Sequence, residues 1–292
     1  MTNTCLEILN QAVEKLRLAG IDRPRTNAEL LLEAVLNKNK VDLYLNKDRI
    51  LTSDEIEKFN QYMKERISHR PVQYVIGAVE FFGLEFKVDE RVLIPRPETE
   101  ILVEVVIEQL TNKEKPKIID LGTGSGAIAI SLAPNLKEAF VYATDVSKDA
   151  LEVAKGNAIR NKVENQIEFL RGDLFEPLKN KNLESQIDCV VSNPPYVSKD
   201  EFETLPREIK DYEPIIALES EKEGLFFHKK MIENSFNFLK RSGLLALEVA
   251  FGQAGKVTDL LRQSENYNNI EIIKDLGGID RVVKATKRST VI

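Results

Sequence analysis

The stretch that decides the fold is Ile187–Tyr196, which reads IDCVVSNPPY. Its first five residues form a short apolar run that predicts a buried β-strand. The two prolines that follow have a fixed φ and no N–H group, so the strand must end there and a stiff loop must begin. In open α/β sheets, ligands bind at the carboxyl ends of the strands. The loop offers the Asn193 amide, the Pro194 carbonyl and the Tyr196 ring, a set that suits the binding of a planar NH2 group.

A second informative pattern lies upstream, at residues 117–133. The strand-like letters KIID are followed by LGTGSG and then by the helix-like AIAISLA. Glycines at 122, 124 and 126 permit a tight turn and allow a ligand to approach the backbone closely. By itself this pattern fits a dinucleotide loop, a methyl-donor loop or a plain strand-to-helix turn.

Two further predicted strands end in acidic residues. The strand Ala139–Thr144 leads to Asp145, about 20 residues past the glycines, where a carboxylate can accept both hydroxyls of a ribose. The strand Ile167–Leu170 leads through Gly172 to Asp173, and we expect this loop beside an adenine. Each acid also has a simpler interpretation, Asp173 as a turn residue and Asp145 as the N-cap of a helix. The four strand ends are expected to converge at one edge of a parallel sheet.

The ordered set of glycine loop, acid, Gly-Asp and Asn-Pro-Pro-Tyr resembles the class I methyltransferases that use S-adenosylmethionine and act on planar amino groups. Further stretches narrow the resemblance: FFGLEF at 81–86, VLIPRPETE at 92–100, DYEP at 211–214, LEVAFGQ at 247–253 and DLGGIDRVV at 275–283. With Asn-Pro-Pro-Tyr, this set is similar to the PrmC/HemK family of peptide chain release factor N5-glutamine methyltransferases. The resemblance covers about residues 70–285 strongly, and the N-terminal part only in size and helical pattern.

The resemblance implies an α/β fold with a Rossmann-like, seven-stranded sheet that ends in an antiparallel hairpin, preceded by a small helical bundle. It implies methyl transfer from S-adenosylmethionine, without a metal, to the glutamine of the Gly-Gly-Gln motif in class 1 release factors. The expected catalytic residues are Asn193, Pro194 and Tyr196, and substrate contacts are expected from these three with Pro195 and Arg96. The residues expected to bind the methyl donor are Asp120, Gly122, Thr123, Gly124, Ser125, Gly126, Asp145, Asp173, Leu174 and Asn193.

The chain is predicted to have three parts. Residues 1–72 are expected to form the helical bundle, because apolar residues recur there at helical spacing and three capping-box patterns begin at Thr4, Thr26 and Thr52. Residues 73–96 are predicted to form a β-hairpin linker. Residues 97–292 are predicted to form the catalytic domain, with a helix that starts at Pro97 and alternating strands and helices from Lys117 onward.

Composition limits the possible functions. Of the 292 residues, 42% are hydrophobic, which is enough for a sizeable core, and no apolar run approaches the ~20 residues of a membrane span. Two cysteines cannot make a disulfide framework or a zinc site. The net charge of −6 argues against a nucleic-acid surface, which is usually basic. We therefore expect a cytoplasmic protein, a monomer, with no signal peptide, membrane contact or direct binding of nucleic acid.

Three other functions remain open from the residues. A planar exocyclic amine of adenine or guanine, in DNA or ribosomal RNA, would suit the same Asn-Pro-Pro-Tyr loop. An S-adenosylmethionine-binding regulator without catalysis would need only the glycine loop and the acids. A nicotinamide-dependent oxidoreductase would account for the glycine loop and Asp145, but it would leave Asn193–Tyr196 without a role.

Overall fold

The structure is a computed structural model that describes residues 3–289. The chain divides into two units. One contains the residues up to Ala78 together with Pro206–Tyr212, and the other contains Val79–Leu205 and the chain from Glu213 onward. Each unit has its own buried apolar core. Within residues 3–289, no helix has the length and apolar character that a membrane crossing requires.

Five helices make up most of the first unit. They are α1 (Cys5–Leu18), α2 (Pro24–Leu36), α3 (Lys40–Leu45), α4 (Ser53–Ile67) and α5 (Val72–Ile76). The predicted capping boxes at Thr4 and Thr52 are both present: each hydroxyl accepts the third helical N–H, and the glutamate reaches back to the cap. The buried faces of these helices pack around residues such as Leu9, Leu16 and Leu31.

The predicted capping box at Thr26 is wrong. The helix α2 begins at Pro24, because a proline at the first helical position has a suitable φ and loses no hydrogen bond. Glu29, which was expected to cap the helix, is instead 3% exposed and accepts the Tyr44 hydroxyl at 2.6 Å. It also pairs with Lys40 Nζ at 2.7 Å. The glutamate therefore joins α2 to α3.

A buried arginine organises the end of α4. The Arg66 side chain is 3% exposed, and its Nε donates to Asn27 Oδ1 at 2.7 Å. Its Nη1 donates to the Arg70 carbonyl at 3.0 Å, and its Nη2 pairs with the Glu208 carboxylate. Glu208 lies 142 residues further along the chain, in the segment Pro206–Tyr212. The helical unit is thus completed by a distant piece of sequence.

The predicted linker hairpin is shorter than expected. Residues 73–76, which were assigned to it, belong to α5, because Pro71 starts this helix and Gly77, with φ of +82°, ends it. Five residues are too few for a helical period to be recognised. The hairpin itself consists of β1 (Ala78–Phe81) and β2 (Leu84–Lys87).

The second unit contains a mixed sheet of seven strands, as predicted. The strands are β3 (Lys117–Leu121), β4 (Phe140–Asp145), β5 (Ile167–Arg171), β6 (Ile187–Ser192), β7 (Leu239–Glu248), β8 (Tyr267–Lys274) and β9 (Asp280–Lys287). Their spatial order is β5-β4-β3-β6-β7-β9-β8. The first five run parallel, and β9 pairs antiparallel with both β7 and β8, which is the predicted terminal hairpin.

The remaining helices are α6 (Thr99–Leu110), α7 (Ala127–Asn135), α8 (Lys148–Arg160), α9 (Lys199–Thr204), α10 (Arg207–Lys210), α11 (Glu221–Gly224), α12 (Phe226–Phe238) and α13 (Ala254–Gln263). The helix predicted from Pro97 starts two residues later, at Thr99. Helices α6, α7 and α8 pack on one face of the sheet, and α12 and α13 pack on the other. Neighbouring strand residues such as Ile118 and Ile119 therefore face different cores, as expected where both faces are covered.

The strand order fixes where a ligand can bind. From β3 the chain winds outward through β4 to β5, and from β6 it winds the other way to β7. The loops that leave β3 and β6 thus diverge, and this topological switch point opens a crevice at the carboxyl ends of the strands.

An acidic residue near the start of β6 stabilises the sheet at the amino ends of its parallel strands, away from the crevice. The Asp188 side chain is 4% exposed and lies 2.6 Å from Lys240 Nζ and 3.1 Å from Lys113 Nζ. It also accepts the Lys117 N–H at 3.0 Å. Burial opposes ionisation, but these hydrogen bonds outweigh it and hold the pKa of Asp188 below its usual value.

We expect Asp188→Asn to lower the free energy of unfolding at pH 7 by roughly 1.5–3 kcal/mol, the usual value of a hydrogen bond to a charged group. Because the folded pKa is depressed, this contribution is complete above the unfolded pKa of about 3.9 and is lost as the pH falls through the folded pKa. Urea unfolding of wild type and variant at a series of pH values measures the difference. A difference that persists unchanged in acid would contradict the assignment.

The control is Glu138→Gln, which breaks the surface pair between Glu138 and Lys115. Surface ion pairs are screened by water and salt, so this variant should unfold almost as the wild type does at every pH.

Candidate functional site

One cavity lies at the carboxyl ends of the central strands, within the second unit. The loops that follow β3, β4, β5 and β6 all contribute to its wall. The sequence-predicted residues that line it are Gly122, Gly124, Asp145, Asp173, Leu174, Asn193, Pro194 and Pro195. Further wall residues, not singled out from the sequence, include Val92, Ala150, Pro214, Phe227 and Met231. The structure thus brings the glycine loop and the Asn-Pro-Pro loop to the same space.

The glycine loop has two parts with different roles. Gly122 and Gly124 line the cavity with φ of +68° and +55°, and space remains open where a Cβ would stand. Gly126 does not line the cavity. A Cβ on Gly126 would lie 2.7 Å from Ile130 Cδ1 and 3.3 Å from Ala154 Cβ, so this glycine permits α7 and α8 to pack. Its placement favours a packing role over the predicted contact with the donor.

Three other residues predicted to bind the donor lie beneath the loop. Asp120 is fully buried, and Thr123 Oγ1 donates to its Oδ2 at 2.7 Å. Burial, with the nearby charge of Asp145, raises the pKa of Asp120 to about 7. Ser125 is 3% exposed, and its carbonyl accepts from Asn157 Nδ2 at 2.9 Å. These side chains shape the loop from behind and do not form the cavity wall.

Asp145 lies at the end of β4 and faces the cavity. Its Oδ2 accepts the Gly124 N–H at 2.9 Å, and its Oδ1 accepts the Ser147 N–H at 2.9 Å. Burial raises the pKa of Asp145 above its usual value, and these backbone hydrogen bonds oppose that shift. The alternative assignment of Asp145 as a helix cap is wrong, because Ser147 caps α8 through the Ala150 N–H. The carboxylate therefore fixes the glycine loop while its oxygens border the cavity.

The loop after β5 supplies a charge and an apolar contact. Asp173 lies 3.5 Å from Lys230 Nζ, and its side chain is 56% exposed. Leu174 is half-buried, with φ of +45°, and lines the cavity beside it. Asp173 can accept hydrogen bonds at the mouth of the cavity, and Leu174 can cover the face of a flat ring.

The Asn-Pro-Pro-Tyr loop is held rigidly. Asn193 Nδ2 donates to Thr99 Oγ1 at 3.1 Å, and Pro194 is buried. Among the described residues that line the cavity, Tyr196 is absent. Its phenol is buried elsewhere, and this burial raises its pKa well above the usual value. The Tyr196 carbonyl accepts from Gln253 Nε2 at 3.1 Å. Stacking of the Tyr196 ring on a substrate, as the sequence predicts, stays a prediction.

Arg96 pairs with a buried glutamate next to the cavity. Its Nη2 lies 2.6 Å from Oε1 of Glu213, whose side chain is 1% exposed. The other oxygen of Glu213 accepts the Ile94 N–H at 3.4 Å. Glu213 precedes Pro214, a wall residue. Arg96 thus anchors the segment that covers the cavity, and its contact with a substrate remains a prediction.

Sequence reasoning missed the residues that support the loop from other elements: Thr99, Gly224, Glu248 and Gln253. Thr99, Glu248 and Gln253 lie in stretches that carry the family resemblance. No local pattern in these stretches indicates which distant residues the three side chains contact. No group of three or more His, Cys, Asp or Glu residues suited to a metal ion occurs among residues 3–289.

Comparisons with known proteins identify the family of this chain. Residues 7–77 match the family model described as the PrmC N-terminal domain, and residues 98–209 match the methyltransferase small domain. A release factor glutamine methyltransferase of Fusobacterium nucleatum subsp. nucleatum is 41% identical over 283 residues, which are 97% of this chain and 78% of that protein. The release factor glutamine methyltransferase of Thermodesulfovibrio yellowstonii is 40% identical over 266 residues, 90% of this chain and 93% of that protein.

A solved structure supports the fold alone. A methyltransferase from Pyrococcus furiosus superposes with a TM-score of 0.53 and 18% identity, covering 82% of this chain and 100% of that one.

Gly224 is the position where a side chain would disturb the site most directly. A Cβ there would lie 2.2 Å from the Tyr196 carbonyl oxygen and 2.5 Å from Gln253 Nε2. We expect Gly224→Ala to lower the free energy of unfolding by about 3 kcal/mol or more, the sum of left-handed strain and a backbone clash. Thermal or urea unfolding measures the loss.

Gly252→Ala is the matched control. Gly252 has φ of +79°, almost the same as the +78° of Gly224, but nothing lies within 4 Å of the added Cβ. This variant should lose only the strain, about 1–2 kcal/mol. If both variants lost the same free energy of unfolding, the added methyl group at residue 224 would be accommodated beside the Tyr196 carbonyl without a clash, and the prediction would be wrong.

Proposed function

This chain belongs to the PrmC family of release factor glutamine methyltransferases, and we propose that it methylates the glutamine of the Gly-Gly-Gln motif in class 1 release factors. The methyl group of S-adenosylmethionine is transferred to N5, the side-chain amide nitrogen. One observation carries the proposal: a single cavity is lined by Gly122, Gly124 and Asp145 on one side and by Asn193–Pro195 on the other. A methyl donor and a planar amide can therefore meet there.

The donor side of the cavity has the chemistry that S-adenosylmethionine requires. Gly122 and Gly124 leave space for the amino acid part of the donor beside the backbone. Asp145 presents carboxylate oxygens that can accept the ribose hydroxyls, and Leu174 with Ala150 offers apolar contact to the adenine. Asp173 is positioned at the rim to accept from the adenine amino group. Asp120, Thr123, Ser125 and Gly126 support this surface from behind.

The acceptor side must overcome the weak nucleophilicity of an amide, whose nitrogen lone pair is delocalised into the carbonyl. Asn193 Oδ1 accepts one N–H of the glutamine, and the Pro194 carbonyl accepts the other. These bonds orient the nitrogen and stabilise the positive charge that develops on it. Bound S-adenosylmethionine supplies a methyl carbon that is already electrophilic. Pro195 and Tyr196 hold the loop and complete the substrate contact.

Atoms and charges balance without a metal. The new bond joins the methyl carbon to the glutamine nitrogen, and the sulfur keeps the electron pair of the broken bond. The proton leaves the nitrogen after or during transfer and passes to water. His228 is unsuited to take it, since its ring is fully buried and its Nε2 lies 2.8 Å from the Glu248 carbonyl.

The helical unit is proposed to contact the release factor, with Arg96 near the entering loop. The proposed division of labour gives recognition of the release factor to the helical unit, which runs up to Ala78 and includes Pro206–Tyr212, and catalysis to the second unit. A monomeric, cytoplasmic enzyme that contacts neither membrane nor nucleic acid fits a substrate of the translation machinery.

The first test is methyl transfer to a purified, unmethylated class 1 release factor, with ribosomal RNA and DNA offered in parallel and products read by mass spectrometry. We expect one methyl group on the Gly-Gly-Gln glutamine. Asn193→Ala should lower kcat by about 100-fold or more, the usual cost of losing one charge-stabilising contact. Asn234→Ala, on the exposed side of α12, is the control and should behave as the wild type. Transfer to a nucleobase in place of the release factor would favour the alternative substrate class.

A second test concerns the donor. Asp145→Ala removes the proposed ribose contact and the acceptor for the Gly124 N–H. Because each hydrogen bond to a charged group is worth about 1.5–3 kcal/mol, Kd for S-adenosylmethionine should rise at least about tenfold. Calorimetric titration measures it, and Asp149→Ala, at an exposed position in the first turn of α8, is the control. An unchanged Kd would remove Asp145 from the donor site.

A further inference from the structure

The amide of Asn193 has two ends of opposite character. Its oxygen can accept a hydrogen bond and its NH2 group can only donate. A rotation of 180° about the last side-chain bond exchanges the two with almost no change in shape. In the flipped orientation, the Asn193 NH2 would face the NH2 of a glutamine substrate, and two donors would oppose each other. The orientation of this amide therefore decides whether the substrate is bound productively.

Thr99 fixes that orientation. It is the first residue of α6, its side chain is 4% exposed, and its Oγ1 lies 3.1 Å from Asn193 Nδ2. Because Nδ2 can only donate, the threonine oxygen must accept. The Thr99 hydroxyl proton is then left to donate to another acceptor.

Glu248 provides this acceptor. It is the last residue of β7 and is 2% exposed, and its carboxyl lies close enough to the Thr99 hydroxyl for a hydrogen bond between them to lower its pKa. Its backbone is fixed in turn, since the buried His228 holds the Glu248 carbonyl. Among the described residues, Glu248 Oε2 is buried with no hydrogen-bond partner.

The charges around Glu248 leave its carboxyl able to accept. Burial raises its pKa to about 7, and the hydrogen bond from Thr99 lowers it. The charge of Glu98 acts in the same direction as burial, whereas Arg281 and Arg96 act against it. Tyr196 also lies near enough for the Glu248 charge to raise the pKa of its phenol. The ionised carboxylate can only accept, so above this pKa the threonine proton points to it, whereas the neutral acid can also donate to Thr99.

We propose that Thr99 and Glu248 are positioning residues that set the Asn193 amide with its oxygen toward the acceptor glutamine. Hydrogen bonds run in one direction, from the Asn193 NH2 to the Thr99 oxygen and from the Thr99 proton to the Glu248 carboxyl. With Glu248 ionised, a reversal at Asn193 would leave two acceptors, Asn193 Oδ1 and Thr99 Oγ1, facing each other unless the threonine hydroxyl turned away from Glu248. If the Thr99 hydroxyl turned away, the buried Glu248 carboxylate would lose this hydrogen bond, and an unpaired buried charge costs free energy. This proposal rests on the proposed function, because it concerns the same acceptor site.

The test compares Thr99→Val, which keeps the shape and removes the hydroxyl, with Thr99→Ser, which keeps the hydroxyl. Methyl transfer to the release factor and calorimetric binding of S-adenosylmethionine are measured for each. We expect Thr99→Val to lower kcat about 10–100-fold, somewhat less than the loss of a direct contact, with KM for the release factor and Kd for the donor unchanged. Thr99→Ser should retain most of the activity.

A second pair tests the carboxyl. Glu248→Gln keeps an oxygen that can accept from Thr99, and Glu248→Met keeps the length without an acceptor. Glu248→Met should lower kcat as Thr99→Val does, and Glu248→Gln should lose much less. The double variant T99V/E248M should be no slower than Thr99→Val alone, because both changes act through the same amide.

Thr258→Val is the control for loss of a buried threonine. Its hydroxyl donates to the Ala254 carbonyl within α13, so kcat should stay at the wild-type value. Equal activity of Thr99→Val and wild type, or equal loss in the Val and Ser variants, would overturn the proposal. If the wild type itself transfers no methyl group to the release factor, the proposed function fails instead, and the two failures are distinguished.

Discussion

The site depends on one constraint: both faces of the parallel sheet are covered, so polar groups can gather only at the strand ends. The register of the strands then decides which residues meet. Leu121 pairs with Thr144, and Asp120 lies opposite both Ala143 and Val191. Because these three strands end level with one another, the next residues of each chain segment emerge at the same edge. The divergence of the chain from β3 and β6 then leaves room for two reactants between the loops.

Much of this arrangement can be read from local sequence. Two successive prolines must end a strand, glycines must permit a tight turn, and an acid placed after a strand must appear at the sheet edge. The spacing between the last two strands is too short for a helical crossover, which makes their antiparallel pairing predictable. Asn193, Asp145 and Gly122 reached the cavity for these reasons, and each depends only on its own neighbours in the chain.

The parts that could not be predicted depend on distant partners. Thr99 and Asn193 are separated by 94 positions, and Arg96 and Glu213 by 117. Neither pair leaves a pattern in its own segment, because packing of whole elements brings them together. Short elements fail for a related reason: α5 has only five residues, so its helical period could not compete with a run of β-favouring side chains. Local sequence patterns predicted most of the residues that line the cavity. They did not predict the distant residues that hold those side chains in position.

The buried Arg66 has a consequence for the order in which the chain can fold as it leaves the ribosome. Its guanidinium is held by Asn27 and Arg70, which are made early, and by Glu208, which is made 142 residues later. Until the later segment emerges, the Arg66 guanidinium lacks its carboxylate partner, and the free energy of that pairing is not available to the helical unit. The N-terminal unit therefore matures only after much of the sheet has been synthesised, and its completion reports that the chain has passed residue 208. The unit whose synthesis begins first therefore cannot be completed until four of the five parallel strands of the second unit, β3 to β6, have been made.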